Sequence, residues 1–416
     1  MGMKNPPPLT TDQRAEAASL GDVLLVQGED PWQDPTGGIV AMTQILLRVY
    51  GRRVEVAAPS VESLPVGAWS VRPFEGSPIR FFNIGPLRLE RGSRPMIPAK
   101  VQVLRQLRRH MSTLHSTGPP NLLMDSAEAL FCAQGFQWSS VCFFFHGLNN
   151  PVARSRYPWA RWLGRPYQWM LLRALRRMNP DAVIAAADRP TVQAFCREHS
   201  RSLRGCAIHP FATRVDRRLF FPERQEQARR ELGLDARSLI LVACGRVSRD
   251  KGWQLLLDSV HVLRAAISDV HLVLVGDGED RRKVLSKARA MGLDDQVSIT
   301  GLLPQRRVRH YLNAADVCVF ASPAEGWSLA MLEALACGRP LVSTDVSGAR
   351  EMIRDGQNGF VVTRRDPEGF ADAVVRARTL PDFARVSTEI AARFSADTLA
   401  ADLGRLWPPL AARPLP

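Results

Sequence analysis

Glu325 and Glu333 are the only carboxylates in the stretch Ala324–Gly338, which is otherwise nearly all apolar. Ahead of it, Val317-Cys318-Val319-Phe320 reads as a buried strand ending at Ser322-Pro323. Ser328 suits an N-cap, Gly338 marks a helix end, and Glu333 is the single polar side chain in residues 329–336. A helix apolar on all sides is buried, so Glu333 is expected to be a carboxylate in a core, where a charge needs a partner. Cβ atoms lean toward the helix N-terminus, which tilts Glu333 toward the loop carrying Glu325. That helix end also offers unpaired N–H groups to an anion. Two carboxylates and a positive helix end directed at one place suit a ligand with both hydroxyls and phosphates, such as a nucleotide-sugar. The structural alternative is Glu333 paired with an arginine from elsewhere in the core.

Other residues point the same way. Arg246 and Lys251 sit in one glycine-flanked loop between a strand and a helix. A guanidinium grips phosphate with a fork and an ammonium acts as a point charge, so the pair suits a diphosphate; the bland reading is a solvated surface Arg and Lys. No D-x-D pair appears, and no metal site is expected. His146 ends the run Val141–Phe145, at a strand's C-terminal edge where open α/β sheets bind ligands, although a lone histidine is often structural. Gly37-Gly38 would let the backbone approach a ligand where a helix opens, or is only a tight turn.

The elements that must position these residues repeat one theme. Val23–Val26 reads as a strand, Ile39–Tyr50 has helical spacing, and Val54–Ala58 is the next strand. Further strand-like runs are Ile79–Phe82, Asn121–Met124, Val141–Phe145, Ala182–Ala186 and Cys206–His209. The pattern restarts at Leu239–Ala243, with a helix at Trp253–Ala266, strands at His271–Val275 and Val297–Gly301, and a helix at 279–291 between them. The expected fold class is α/β, with two tandem Rossmann-like, doubly wound parallel sheets.

The run Arg154–Arg177 carries seven Arg, three Trp (Trp159, Trp162, Trp169) and no acid. Trp162, Arg165, Trp169, Arg173, Arg176 and Arg177 are candidates for contact with an anionic membrane surface. A packed helix with a solvated basic face, or a nucleic-acid surface, fits the same pattern.

The formal charge of +14 is uneven: residues 1–215 hold 26 Lys and Arg against 15 Asp and Glu, and residues 216–416 hold 29 against 26. An anionic partner for the N-terminal half follows. Hydrophobic residues make up 45% of the chain, with no run resembling a spanning helix or a signal peptide. Seven cysteines without a C-x-x-C pair suggest reduced thiols and a cytosolic address.

The chain resembles the retaining glycosyltransferases of family 4, which have the GT-B fold of two Rossmann-like domains facing an interdomain cleft. The matching residues are Gly245, Arg246, Lys251 and Gly252; Gly276-Asp277-Gly278; Gly301 and Pro304; the E-x7-E pair Glu325 and Glu333; then Gly348, Glu351, Gly356 and Gly359-Phe360. They cover residues 239–362, and the N-terminal half matches more loosely through Gly37-Gly38, His146-Gly147 and Val215-Asp216. The resemblance implies an acceptor-binding domain over 1–214 with a loose start at 1–20, a linker at 215–237, and a donor domain over 238–390. A C-terminal helix in 391–416 would return toward the N-terminal domain.

The resemblance also implies roles. Glu325 and His146 would be catalytic, with Glu325 on the donor sugar hydroxyls and His146 reaching that sugar or its phosphate. Glu333 would hold the ribose; Arg246 and Lys251, in the loop from Gly245, would hold the diphosphate. Backbone N–H groups of Gly326, Trp327, Ser328 and Leu329 would meet sugar and diphosphate, and Gly301 and Leu302 the base. Gly37 and Gly38 would face acceptor and diphosphate. The implied reaction moves a hexose, with retention, from a nucleotide-diphosphate sugar to a lipid-linked or polysaccharide acceptor in exopolysaccharide, capsule or lipopolysaccharide synthesis. No metal or other cofactor is implied, nor a nucleic-acid partner. The expected location is cytoplasmic, peripheral at the inner face of the membrane. A nucleotide-sugar epimerase or glycogen-type synthase on the same fold is the rival reading, and a basic nucleic-acid-binding protein ranks below it because no zinc-finger, RNA-recognition or helix-turn-helix pattern appears.

Overall fold

The computed structural model describes residues 21–34, 37–86, 99–150, 152 and 162–411. The N-terminal stretch, Pro35-Thr36 and the Arg154–Arg161 part of the basic run, including Trp159, lie outside the described residues. The chain divides into two compact units. The first comprises described residues of Met1–Gln33, Met42–Phe211 and Leu399–Pro416, and the second those of Asp34–Ala41 and Ala212–Thr398.

In the first unit the strands are β1 (Val23–Val26), β2 (Val54–Ser60), β3 (Trp69–Phe74), β4 (Ser77–Pro86), β5 (Asn121–Met124), β6 (Ser140–Phe145), β7 (Ala182–Ala185) and β8 (Ile208–Pro210). They form one sheet in the order β3-β4-β2-β1-β5-β6-β7-β8. All neighbours run parallel except the β3–β4 hairpin. β1 and β2 are buried throughout; β1 is a continuous apolar run, as a strand covered on both faces should be, while β2 buries Glu55, which Arg80 Nη1 meets at 2.7 Å. The helices are α1 (Gly38–Tyr50, which enters this unit at Met42), α2 (Ala99–Thr117), α3 (Ala127–Ala133), α4 (Gly164–Met178) and α5 (Arg189–Glu198). α3 lies between α2 and α4.

The loop after β1 is pinned by buried polar contacts. Asp30 accepts from Arg72 Nη1 at 3.1 Å and from the Trp32 N–H at 3.0 Å, and the Arg72 guanidinium stacks over the Trp32 ring at 4.1 Å. At the opposite end of the strands, Trp407 is fully buried and donates from Nε1 to Ser140 Oγ at 2.8 Å.

The second unit holds β9 (Leu239–Cys244), β10 (Val270–Val275), β11 (Val297–Ile299), β12 (Val317–Phe320), β13 (Leu341–Thr344) and β14 (Gly359–Val362), all parallel, in the order β11-β10-β9-β12-β13-β14. Its helices are α6 (Gln225–Leu232), α7 (Trp253–Ala266), α8 (Arg281–Ala290), α9 (Gln305–Ala314), α10 (Leu329–Ala336), α11 (Ala349–Met352), α12 (Pro367–Ala377) and α13 (Phe383–Arg393), and α14 (Ala396–Leu406) leads back into the first unit's C-terminal segment. Residues 215–237 are more than a connector. They contain α6, which packs on α9 through buried Arg229, whose Nη2 lies 2.7 Å from Asp316 Oδ2.

The loops after β9, β10 and β11 press backbone on backbone. A Cβ at Gly276 would stand 2.1 Å from the Gly245 carbonyl oxygen, and one at Gly278 2.3 Å from that of Val247. Gly276 also bridges to Gly301. Glycines there let three loop ends gather beside one another.

Candidate active site

The strand and helix around the two glutamates form as their sequence predicts. β12 ends at Phe320, Ser328 Oγ caps α10 by accepting from the Met331 N–H at 3.4 Å, and Gly338 adopts φ +68 just past the helix. α10 therefore opens its N-terminal N–H groups at the Glu325–Ser328 loop.

Glu325, Arg246, Lys251, Gly245, Ser322 and Ser328 line one concavity at the C-terminal ends of β9 and β12, floored by Leu256 and Leu274. Lys251 Nζ lies 2.6 Å from Glu325 Oε1, and Ser322 Oγ donates to the same oxygen at 2.6 Å. Arg246 is exposed at the rim. Gly252, at φ +71, lets the Lys251 turn close on β12, because a Cβ there would sit 1.8 Å from the Ala321 carbonyl oxygen.

Glu333 is part-buried on α10, and burial alone pushes its pKa up to about 8. Among the described residues no cation or hydrogen-bond donor offsets that cost, so the arginine pairing is not what this carboxylate has. Its charge raises the pKa of the Cys244 and Cys337 thiols, which burial already pushes well up. An unpartnered carboxylate in such surroundings is a group waiting for a donor.

Trp327 turns its side chain away from this work. Its ring is buried against Phe394, with centroids 5.3 Å apart, and over Gly348, where a Cβ would meet Trp327 Cε3 at 2.9 Å. Only its backbone remains for a ligand. Gly301, at φ +77, has open space around its Cα, and Leu302 is exposed. Among the described residues a Cβ at Gly37 would meet nothing within 4 Å, while one at Gly38 would lie 3.9 Å from Leu329 Cβ within the second unit.

His146 belongs to the first unit, just past β6. Its Nε2 lies 3.3 Å from Asp125 Oδ2, next to the end of β5, and its ring packs on Phe144 at 4.6 Å. Asp125 was not among the residues singled out by sequence; its place one residue past a strand end is the signal that could have found it. The approach has ion-pair distance but no hydrogen-bond geometry, and among the described residues the buried Nε2 makes no hydrogen bond.

Parallel sheets flanked by helices, one per unit, with polar residues gathered at the strands' C-terminal ends, define the GT-B class of fold. Sucrose-phosphate synthase of Thermosynechococcus elongatus has this architecture with a TM-score of 0.72 at 21% identity, over 93% of this chain and 98% of that one. Anabaena HepE in complex with UDP-glucose has it with a TM-score of 0.65 at 19% identity, over 92% and 98%. Likeness at these identities establishes the fold. Residues 238–379 match the family described as Glycosyl transferases group 1. Over 211 residues the chain is 34% identical to D-inositol 3-phosphate glycosyltransferase 1 of Catenulispora acidiphila, covering 47% of this chain and 50% of that protein. The chain spans about half the length of the curated relatives it matches.

Proposed function

We propose that this protein is a retaining glycosyltransferase that moves a hexose from a nucleotide-diphosphate sugar to a lipid-linked or polysaccharide acceptor in cell-surface glycan synthesis. The observation that carries the reading is Glu325 set beside Lys251 and Arg246 at the opening of α10, in one concavity. The family match of residues 238–379 and the UDP-glucose in the HepE complex support a nucleotide-sugar as donor.

The transition state is a stretched, cationic sugar leaving an anionic diphosphate. Lys251, Arg246 and the α10 N–H groups stabilise the departing charge, which is the main source of rate acceleration open to such a site. Glu325 holds the sugar hydroxyls and Glu333 the ribose hydroxyls, which supply the donors its carboxylate lacks. Retention follows from front-face attack, in which the leaving phosphate takes the acceptor's proton; its support is the resemblance of the E-x7-E motif. A catalytic role for His146, whose Nε2 stands 3.3 Å from Asp125 Oδ2, rests on the resemblance of His146-Gly147.

Membrane contact is assigned to α4. Its Leu171, Leu172 and Leu175 are buried, while Arg165, Trp169, Arg173, Arg176 and Arg177 are exposed, and Trp162 just before it is 88% exposed. Among the described residues no helix is long and apolar enough to cross a membrane, so the contact would be peripheral.

The test is a thermal-shift panel of UDP, GDP, ADP and their glucose conjugates, since a ligand of the native state raises its melting temperature. One nucleotide series should stabilise the protein and its sugar conjugate should then be consumed with acceptor present. No shift with any nucleotide removes the donor-site assignment. Conversion of the donor without acceptor to an epimeric sugar points instead to an epimerase.

A further inference from the structure

Arg365 stands three residues past β14, at the edge of the second unit's sheet, with β13 between that strand and β12. It nevertheless reaches the end of β12. Its Nη1 donates to the carbonyl oxygens of Ala321 and Ser322 at 2.8 and 2.9 Å. Thr344 Oγ1 donates to the same Ser322 carbonyl at 2.6 Å. Ser322 Oγ in turn donates to Glu325 Oε1 at 2.6 Å. The Ala321 carbonyl is also the atom pressed against Gly252, the residue after Lys251. Arg365 thus grips the backbone on which the carboxylate and its lysine partner converge.

Arg365 keeps much of its surface exposed, and what separates it from other surface arginines is where its Nη1 is directed. The guanidinium is spent on two main-chain carbonyls, which accept hydrogen bonds with a fixed direction and so define the turn's geometry.

We propose that Arg365 is a positioning residue for Glu325: it locks the turn Ala321–Glu325 so that the carboxylate is presented to the concavity. The inference rests on the reading of Glu325 as a site carboxylate, but one arm of its test does not depend on activity. The chain's lysines are Lys4, Lys100, Lys251, Lys283 and Lys287, so amine acylation followed by peptide mass spectrometry resolves Lys251 cleanly. Releasing the turn frees Lys251 from Glu325, whereas Lys287, held by Asp258 at 2.6 Å, serves as the internal control.

In Arg365→Ala and Arg365→Gln, Lys251 should acylate about threefold faster or more relative to Lys287, a change expected when a fixed side chain loses its support. In the second arm, kcat for transfer should fall about 10-fold or more, the scale of a small misplacement, with the dissociation constant for the matching nucleoside diphosphate within about twofold. Arg365→Lys, which can still donate to both carbonyls, should recover much of kcat. Unchanged labelling together with unchanged kcat overturns the proposal. A loss of nucleotide affinity as large as the loss of kcat also overturns it, because that is the mark of direct ligand contact. If the wild-type protein turns over no nucleotide-sugar, the functional reading falls, and the labelling arm still decides Arg365.

Discussion

Lys251 Nζ and Glu325 Oε1 stand 2.6 Å apart, so the cation assigned to the leaving diphosphate and the carboxylate assigned to the sugar hold each other. Both side chains keep some exposure, at 40% and 17%, and such a pair contributes little net stability. A donor can therefore exchange it: phosphate takes the ammonium while sugar hydroxyls take the carboxylate. The two residues then have separable effects. Lys251→Ala should weaken nucleoside diphosphate binding about 10- to 100-fold, the value of a charge-assisted hydrogen bond. Glu325→Gln should leave that binding within about threefold yet lower transfer by about 100-fold or more. Isothermal titration and initial rates measure both, and equal losses in the two assays for Glu325→Gln would remove it from the sugar.

Arg246 offers the cleaner loss of chemistry. It is exposed at the rim of the concavity, so Arg246→Ala should keep the wild-type melting temperature to within about 1 °C, as for a surface change. Transfer should drop about 100- to 1,000-fold, the cost of removing one preorganised group from a developing anion. On the proposal that the stabilising charge comes from side chains, chelation with EDTA should leave the rate unchanged; restoration of a lost rate by magnesium or manganese would contradict this.

Glu333 ties stability to pH. Its folded pKa of about 8 lies above the ordinary carboxylate value of 4.5, so its stabilising influence is complete below the unfolded pKa. It is lost as pH rises from about 4.5 through about 8. Glu333→Gln stays neutral throughout. The variant's melting temperature should therefore gain on the wild type as pH increases across that window and level off above it. Ribose hydroxyls donating to the ionised form should lower the pKa, so UDP-glucose binding should release a proton and tighten from pH 6 to pH 8 in the wild type alone. Proton uptake on binding would count against the ribose assignment.

Gly252 makes a prediction about architecture. With φ at +71 and the Ala321 carbonyl oxygen only 1.8 Å from a built Cβ, Gly252→Ala combines backbone strain with a clash against main chain. Chemical denaturation should show a loss of about 2–6 kcal/mol, the sum of the usual strain and overpacking costs. A wild-type midpoint would mean that the turn is free to move off β12.

Much of the geometry around these residues was legible because it is local. Arg246 and Lys251 share one strand–helix loop, and Ser328, Glu333 and Gly338 punctuate one helix, so spacing alone placed them. Parallel strands such as β9 and β10 were equally plain as unbroken apolar runs. What escaped depends on distant parts of the chain. The β3–β4 hairpin escaped because Trp69–Phe74 contains Arg72 and Pro73, and its turn uses Glu75 at positive φ. The inward turn of Trp327 is decided by Gly348 and Phe394, and the grip of Arg365 on β12 spans more than forty residues. No period or motif encodes such contacts; they appear only once the sheet order brings the strand ends together.

The exposed face of α4 carries the last prediction. The Arg173 guanidinium lies 5.4 Å from the Trp169 ring centroid, and Trp169 and Met170 are 59% and 47% exposed. Apolar side chains are left in water there among arginines whose neighbours include no acid from Gly164 to Met178. Each basic residue near an anionic bilayer contributes about 1 kcal/mol, so changing Arg173, Arg176 and Arg177 together to Ser should weaken binding to phosphatidylglycerol-containing vesicles about 100-fold. Trp162→Ala with Trp169→Ala should weaken it less and independently of salt, because those rings bind by burial, whereas the arginine contribution should shrink as ionic strength rises. Uncharged phosphatidylcholine vesicles should retain only the tryptophan part. Flotation that is unchanged by the three arginine substitutions would make α4 an ordinary packed helix, and a steep salt-dependent affinity for single-stranded or duplex nucleic acid would reassign its face.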